Sequence, residues 1–113
     1  MIILDTSGLL AALDSSQHRH VAAASVLRNA SGALLPSPFV FAELDYLVAT
    51  KVSHEAARLF MEDVGRAAYR IEVFDAADVR RIYQVVSDYS GLRVGLADAS
   101  LVVLSERYQV HDL

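Results

Sequence analysis

Cysteine is absent from this chain of 113 residues, and so is tryptophan. The lack of cysteine excludes disulfide bonds, thiol nucleophiles and the usual structural zinc sites. No stretch reaches the roughly 18 apolar residues that a membrane span needs, and no basic leader precedes the short apolar N-terminus. We therefore expect a cytoplasmic protein that does not contact the membrane.

Positive charge is also scarce, because ten Lys and Arg residues stand against fourteen Asp and Glu residues. A protein that holds nucleic acid by neutralising phosphates alone is usually basic. Any contact with nucleic acid must then be local, through a cation or a few arginines such as Arg80, Arg81 and Arg93, although ordinary surface charge is the commoner role for such residues. The tyrosines are expected in the core rather than as platforms for base stacking.

Apolar periodicity and capping residues predict an alternation of strands and helices. Strands are predicted at 2–4, 67–74, within 31–38 and from 109 onwards. Helices are predicted at 6–13, with Thr6 or Ser7 available as its cap, and at 20–30, 38–51, about 54–64, from 76 and 97–108. The helix at 38–51 is apolar on nearly every side and is expected to be buried. This order predicts one α/β domain with a central parallel β-sheet flanked by helices on both faces.

Three carboxylates stand on apolar backgrounds. Asp5 ends the first strand, at the sheet edge where α/β proteins place their working sites. Glu43 and Asp98 have apolar neighbours three and four residues away, which predicts that both face the core. Buried carboxylates need a partner, and two charges about 4 Å apart repel by about 4 kcal/mol at an effective dielectric near 20. A shared divalent cation resolves both problems.

Oxygen ligands without cysteine favour Mg²⁺ or Mn²⁺, which can activate water and stabilise charge on a phosphoryl group. Asp45 has neighbours as apolar as those of Glu43, so periodicity does not choose between them. Asp5 as a simple helix cap and Asp98 as an acid favoured by the helix dipole are the structural alternatives. His18 and His20 lie on different helix faces and do not form a metal pair.

Other enzyme classes fit less well. Dehalogenase-type phosphatases need a second Asp two positions after the first, where this chain has Ser7. Receiver domains need a late lysine, and Lys51 is misplaced for that role. No Gly-rich phosphate loop is present.

The segments "ILDTSGLLAAL", "PFVFAELDYLV" and "GLADASLVVLSERY" occur in this order, with 38 residues from Asp5 to Glu43 and 55 from Glu43 to Asp98. In these segments the chain resembles PIN domains, most closely the small ribonuclease toxins of VapBC-type toxin-antitoxin systems. The resemblance selects Glu43 over Asp45. It implies a metal-dependent endoribonuclease in which Asp5, Glu43 and Asp98 are catalytic and bind Mg²⁺ or Mn²⁺, supported by Thr6 or Ser7.

The same resemblance implies an RNA substrate, a cognate antitoxin and a homodimer. It also implies a fourth acid beyond the last helix, whereas the chain stops at Leu113 and has only Asp112 in its tail. We therefore expect residues 1–113 to form a single PIN-like domain truncated at its C-terminus. The alternative function is a weak or inactive PIN-like module that binds an antitoxin or RNA without cleavage.

Overall fold

Helices dominate the part of the chain that the structure describes. The computed structural model describes residue 3 and residues 5–14, 20–29, 36–66 and 70–109, with the backbone alone at 23 and 26–29. The helices are α1 (Thr6–Leu13), α2 (His20–Asn29), α3 (Pro38–Lys51), α4 (His54–Gly65), α5 (Ala76–Asp88) and α6 (Leu96–Tyr108), with a 3-10 turn at Ser90–Leu92. Their predicted positions are confirmed, with differences of single residues at the ends.

The predicted strands lie wholly or partly outside the described residues. Within those residues no strand is assigned, and this holds for residue 3 and for 70–74. The layout of the sheet therefore stays a prediction. None of the described helices is long and apolar enough to cross a membrane.

The cap of α1 differs from the expectation. Asp5 has an extended backbone (φ −85°, ψ 174°), and its Oδ1 accepts a hydrogen bond from the Gly8 N–H at 2.7 Å. Thr6 and Ser7 are already inside the helix, so the prediction that one of them caps it is wrong. A capping side chain must come from the extended residue that precedes the first helical one, and here that residue is Asp5.

Helix α3 begins at a serine and proline step. The Ser37 hydroxyl accepts hydrogen bonds from the Phe39 and Val40 N–H groups at 3.2 and 3.1 Å, and Pro38 occupies the first helical position. This is the start that the sequence predicts, because proline needs no N–H partner there.

Packing centres on α3, which contacts α1, α4 and α6, while α1 also packs on α2 and α5 on α6. The buried residues form two clusters. The first cluster joins residue 3 to α1, α3, α4 and α6 and comprises Ile3, Leu9, Leu10, Val40, Leu44, Val48, Ala57, Phe60, Ala97, Leu101 and Leu104. The second cluster joins α5 to α6 and comprises Ile82, Val85, Ala99 and Val103.

Helix α3 is less buried than its composition predicts. Val40, Leu44 and Val48 form its buried stripe, whereas Tyr46 is 67% exposed. The expectation that this helix is buried is therefore correct for one face only. Alanine and tyrosine count as apolar in a composition but tolerate solvent, so one stripe suffices to hold the helix.

Two ion pairs fix α5 and α6 side by side in opposite directions. Arg81 bridges both carboxylate oxygens of Glu106 at 3.0 and 2.7 Å. Arg107 reaches Asp78 Oδ2 at 2.9 Å. Because Asp78 is near the start of α5 and Arg107 near the end of α6, the first turn of α6 lies at the opposite end of this pair.

Candidate active site

The three carboxylates predicted to form the site lie at solvent-accessible positions on three different helices. Asp5 caps α1, Glu43 lies in the second turn of α3, and Asp98 is the third residue of α6. All three are exposed, so the prediction that Glu43 and Asp98 face the core is wrong. A residue at the edge of a buried helical stripe also has apolar residues three and four positions away. At this edge the side chain has apolar neighbours and still reaches water.

Glu43 and Asp45 flank the buried stripe of α3 on opposite sides. Glu43 follows Phe39 by four residues, and Phe39 packs edge-to-face on Phe74 with ring centroids 5.3 Å apart. The Phe39 ring also contacts the cluster formed by α5 and α6.

Asp45 instead follows Phe41 by four residues, and Phe41 packs on Phe60 of α4 with centroids 5.5 Å apart. Residues four apart share a helix face. Glu43 is therefore on the side of α3 turned toward α5 and α6, and Asp45 is on the side turned toward α4.

A buried hydrogen bond ties the helix of Glu43 to the helix of Asp98. The Ser37 and Ser100 hydroxyl oxygens are 2.6 Å apart, and Ser100 donates to the Ala97 carbonyl oxygen at 2.6 Å. The single proton of Ser100 is used in that bond, which leaves Ser37 as the donor between the two hydroxyls. The start of α3 and the first turns of α6 are thus held in one network.

Asp5 lies against glycine, and sequence reasoning missed this contact. A Cβ at Gly8 would approach Asp5 Oδ1 to 3.0 Å, so a larger residue there presses on the carboxylate. Beside it, Thr6 Oγ1 is buried and has no hydrogen-bond partner among the described residues, whereas Ser7 is exposed. The sequence signal that could have indicated this contact is a glycine three residues after the acid that caps the helix.

Several acids on or next to α4, α5 and α6 form ion pairs with arginine. Among the described residues these are Glu55 and Glu62 of α4, Glu72 before α5, Asp78 of α5 and Glu106 of α6. Hydrogen bonds from Arg81 lower the pKa of Glu106. For Asp78, the hydrogen bond from the Asp75 N–H lowers the pKa most, and Arg107 lowers it further.

Asp5, Glu43 and Asp98 form no ion pair with any residue that the structure describes. Their donor chemistry fits a hard divalent cation, because all three offer carboxylate oxygens that face water and have no competing positive partner. As they stand, however, no three His, Asp or Glu side chains within the described ranges lie close enough together to hold a metal ion. The helices that bear them are adjacent, since α1 and α6 both contact α3.

The other charged residues and histidines named in the sequence analysis differ in whether they have a partner. Arg81 is bound to Glu106, whereas Arg80 and Arg93 are exposed and make no ion pair with a described residue. His20 Nδ1 lies 2.9 Å from the Ala11 carbonyl oxygen and thus joins α2 to α1. His18 and Asp112 lie outside the described residues.

The tyrosines are more exposed than expected. Tyr46, Tyr83 and Tyr89 are 67%, 71% and 53% exposed, and Tyr108 packs partly buried against the first core cluster. Their placement in the core is therefore wrong for three of the four tyrosines that the structure describes. Tyr46 is three residues after Glu43, which puts an aromatic ring on the same side of α3 as that carboxylate.

Comparison with known proteins identifies the class of this fold. A family model for the PIN domain matches residues 2–111, and the chain therefore belongs to the PIN domain family. It is 37% identical over 112 residues to ribonuclease VapC26 of Mycobacterium tuberculosis. The aligned residues make up 99% of this chain and 83% of that protein.

The backbone is also similar to the crystal structure of VapC20 from Mycobacterium tuberculosis, a toxin that cleaves the sarcin-ricin loop. The TM-score is 0.88 at 18% identity, over 97% of this chain and 85% of that one. The chain thus has the α/β PIN fold and is a VapC-like member of the family.

Proposed function

We propose that this protein is the toxin of a toxin-antitoxin system and acts as a metal-dependent endoribonuclease. Asp5, Glu43 and Asp98 are its catalytic residues. The observation that carries the proposal is that these three acids stand exposed on adjacent helices and form no ion pair with a described residue, whereas Glu55, Glu62, Asp78 and Glu106 are paired with arginine. Family membership and the 37% identity to ribonuclease VapC26 support it.

Asp5, Glu43 and Asp98 would together hold Mg²⁺ or Mn²⁺. When bound, such an ion supplies activated water and stabilises the charge that develops on a phosphodiester. The protein's part is to orient the carboxylates. The Gly8 N–H fixes one oxygen of Asp5, and the Ser37 and Ser100 hydroxyls hold the helices of Glu43 and Asp98 together.

Thr6 and Ser7 support the site in this proposal. The Thr6 hydroxyl is buried next to Asp5 and has no hydrogen-bond partner in the described part of the chain. A buried hydroxyl without a partner costs stability, and this cost is accepted more readily where the group has a task in function. Thr6→Val should therefore keep the fold while lowering the rate of RNA cleavage.

Cleavage of labelled RNA with Mn²⁺ or Mg²⁺, and with excess chelator, tests the proposal. Asp5→Asn, Glu43→Gln and Asp98→Asn should each lower kcat by about 10² or more, because each removes a charge required in the site. Asp45→Asn is the matched control on the same helix and should cleave like wild type. Full activity in the three site variants would show that the roles are assigned wrongly.

The RNA substrate, an antitoxin and a homodimer belong to the same proposal. The antitoxin should co-purify with the protein and suppress cleavage. Light scattering on the free protein should give twice the mass of one chain. A monomer that cleaves RNA normally would remove the dimer from the proposal and leave the enzyme intact.

A module that binds without cleaving is the second candidate, and an apolar groove favours it. The groove of about 210 Å³ lies between α1, α3 and α4 and is lined by Leu13, Val48, Val52, Ala56, Leu59, Phe60 and Asp63. Val52 and Leu59 are 45% and 47% exposed, which suits protein contact. If purified protein binds an antitoxin but neither cleaves RNA nor binds Mn²⁺, this second function is the correct one.

A further inference from the structure

We propose that Arg93 binds a phosphate of the RNA backbone at the Asp98 end of the site. This inference rests on the proposed function, since it names a residue that holds the substrate for that same reaction. Five arginines among the described side chains are already paired with acids, namely Arg58, Arg66, Arg70, Arg81 and Arg107.

Three described cations make no ion pair with a described residue, and they differ in position. Lys51 ends α3, eight residues and about 12 Å beyond Glu43 along the helix. Arg80 is next to Arg81, which contacts Glu106. Glu106 lies eight residues after Asp98, so Arg80 is about 12 Å away from the Asp98 turn along α6.

Arg93 lies at the end of α6 where Asp98 is found. It precedes Gly95, the N-cap of α6, by two residues, and Asp98 is the third residue of that helix. Side chains on a helix lean toward its N-terminus, so the Asp98 carboxylate leans toward the segment that carries Arg93. An unpaired guanidinium here offers the bidentate donors that match a phosphate.

The backbone at Arg93 has an unusual conformation. Its φ of 53° and ψ of 42° place it in the left-handed region, which disfavours a side chain. The segment is held by hydrogen bonds from Leu92 N–H to the Tyr89 carbonyl oxygen at 2.9 Å and from Arg93 N–H to the Ser90 carbonyl oxygen at 3.2 Å. Glycine would suit this backbone better, so the backbone conformation itself does not require arginine at this position.

The strain makes structural and functional roles separable. Arg93→Gly should keep or raise the Tm, because glycine relaxes the backbone, yet it should weaken RNA binding. Arg93→Gln keeps the length of the side chain and loses only the charge, and glutamine is tolerated on this backbone at Gln109, where φ is 54°. Arg93→Lys keeps the charge but loses the bidentate donors, so it should bind RNA more tightly than Arg93→Gln and less tightly than wild type.

The experiment measures the anisotropy of a labelled single-stranded oligo-uridylate in chelator, and the KM for its cleavage with Mn²⁺. Arg93→Gly and Arg93→Gln should raise Kd and KM about five- to tenfold, with kcat within about twofold of wild type. The slope of log Kd against log salt should fall by about one.

Two controls complete the design. Gln109→Gly relaxes the other non-glycine residue with positive φ in the described part of the chain. Arg80→Gln removes one charge from α5, next to the end of α6 that is far from Asp98. Both variants should bind RNA like wild type. Cleavage by wild type with unchanged KM and Kd in the Arg93 variants would overturn the inference and leave the proposed function standing. Absence of cleavage by wild type would instead overturn the proposed function, while the anisotropy data still decide whether Arg93 contacts RNA.

Discussion

The hydroxyl of Ser37 lies 2.6 Å from the hydroxyl of Ser100, and both side chains are fully buried. Ser37 caps α3, the helix of Glu43, and Ser100 lies two residues after Asp98 on α6. One contact between two short side chains therefore joins the two helices that carry proposed catalytic carboxylates.

Loss of this contact should cost stability. Ser100→Ala should lower the free energy of unfolding by about 1–2 kcal/mol, since it leaves the buried Ser37 hydroxyl without its acceptor. Ser37→Ala should cost about 1 kcal/mol more, because the cap of α3 is lost as well. Urea unfolding of both single variants and the double variant measures this, and fully additive losses would show that the two hydroxyls do not interact.

Gly8 should separate stability from activity. Gly8→Ala removes a glycine from a helix, which on its own favours folding by about 0.5–1 kcal/mol. The added Cβ presses on the Asp5 carboxylate that lies 3.0 Å away, so RNA cleavage should fall about tenfold or more. Gly65→Ala is the control, because a Cβ there meets no atom of the described chain within 4 Å. Unchanged cleavage by Gly8→Ala would show that the position of Asp5 on this helix does not matter.

The pairing of Asp78 with Arg107 predicts a pH dependence of stability. Hydrogen bonds from the Asp75 N–H and Arg107 lower the pKa of Asp78 in the folded state. Because the pKa of Asp78 is lower in the folded state than in the unfolded state, its ionised form stabilises the fold. This stabilisation is complete at pH values above the pKa of the unfolded state, about 3.9, and is lost as the pH falls through the pKa of the folded state.

Asp78→Asn should therefore be less stable than wild type by about 1–2 kcal/mol at pH 7. The difference should shrink below about pH 4. Thermal unfolding across this range measures it, and a difference that does not change with pH would contradict the role of the charge.

The helices could be predicted because their signals are local. A capping box at Asp75 and Asp78 and a Ser37-Pro38 step act within one turn, and the structure contains both. The choice between Glu43 and Asp45 could not be made from periodicity, because both flank the same buried stripe at equal offsets. It depends on which side Phe39 and Phe41 pack, and those contacts join residues far apart in the sequence.

Exposure of the carboxylates could not be predicted for the same reason. An apolar neighbour at three or four residues indicates proximity to the core but not whether the side chain points into it or past its edge. The sheet remains a prediction from alternation, since its strands lie wholly or partly outside the described residues.

Titration of Mn²⁺ into the metal-free protein by calorimetry tests the central claim most directly, because it measures the shared ion without requiring an RNA substrate. Wild type should bind one ion per chain, and Asp5→Asn, Glu43→Gln and Asp98→Asn should each weaken binding at least tenfold, while Asp45→Asn should bind like wild type. Equal Mn²⁺ affinity in wild type and in all three site variants would contradict the claim that these carboxylates act together on one cation.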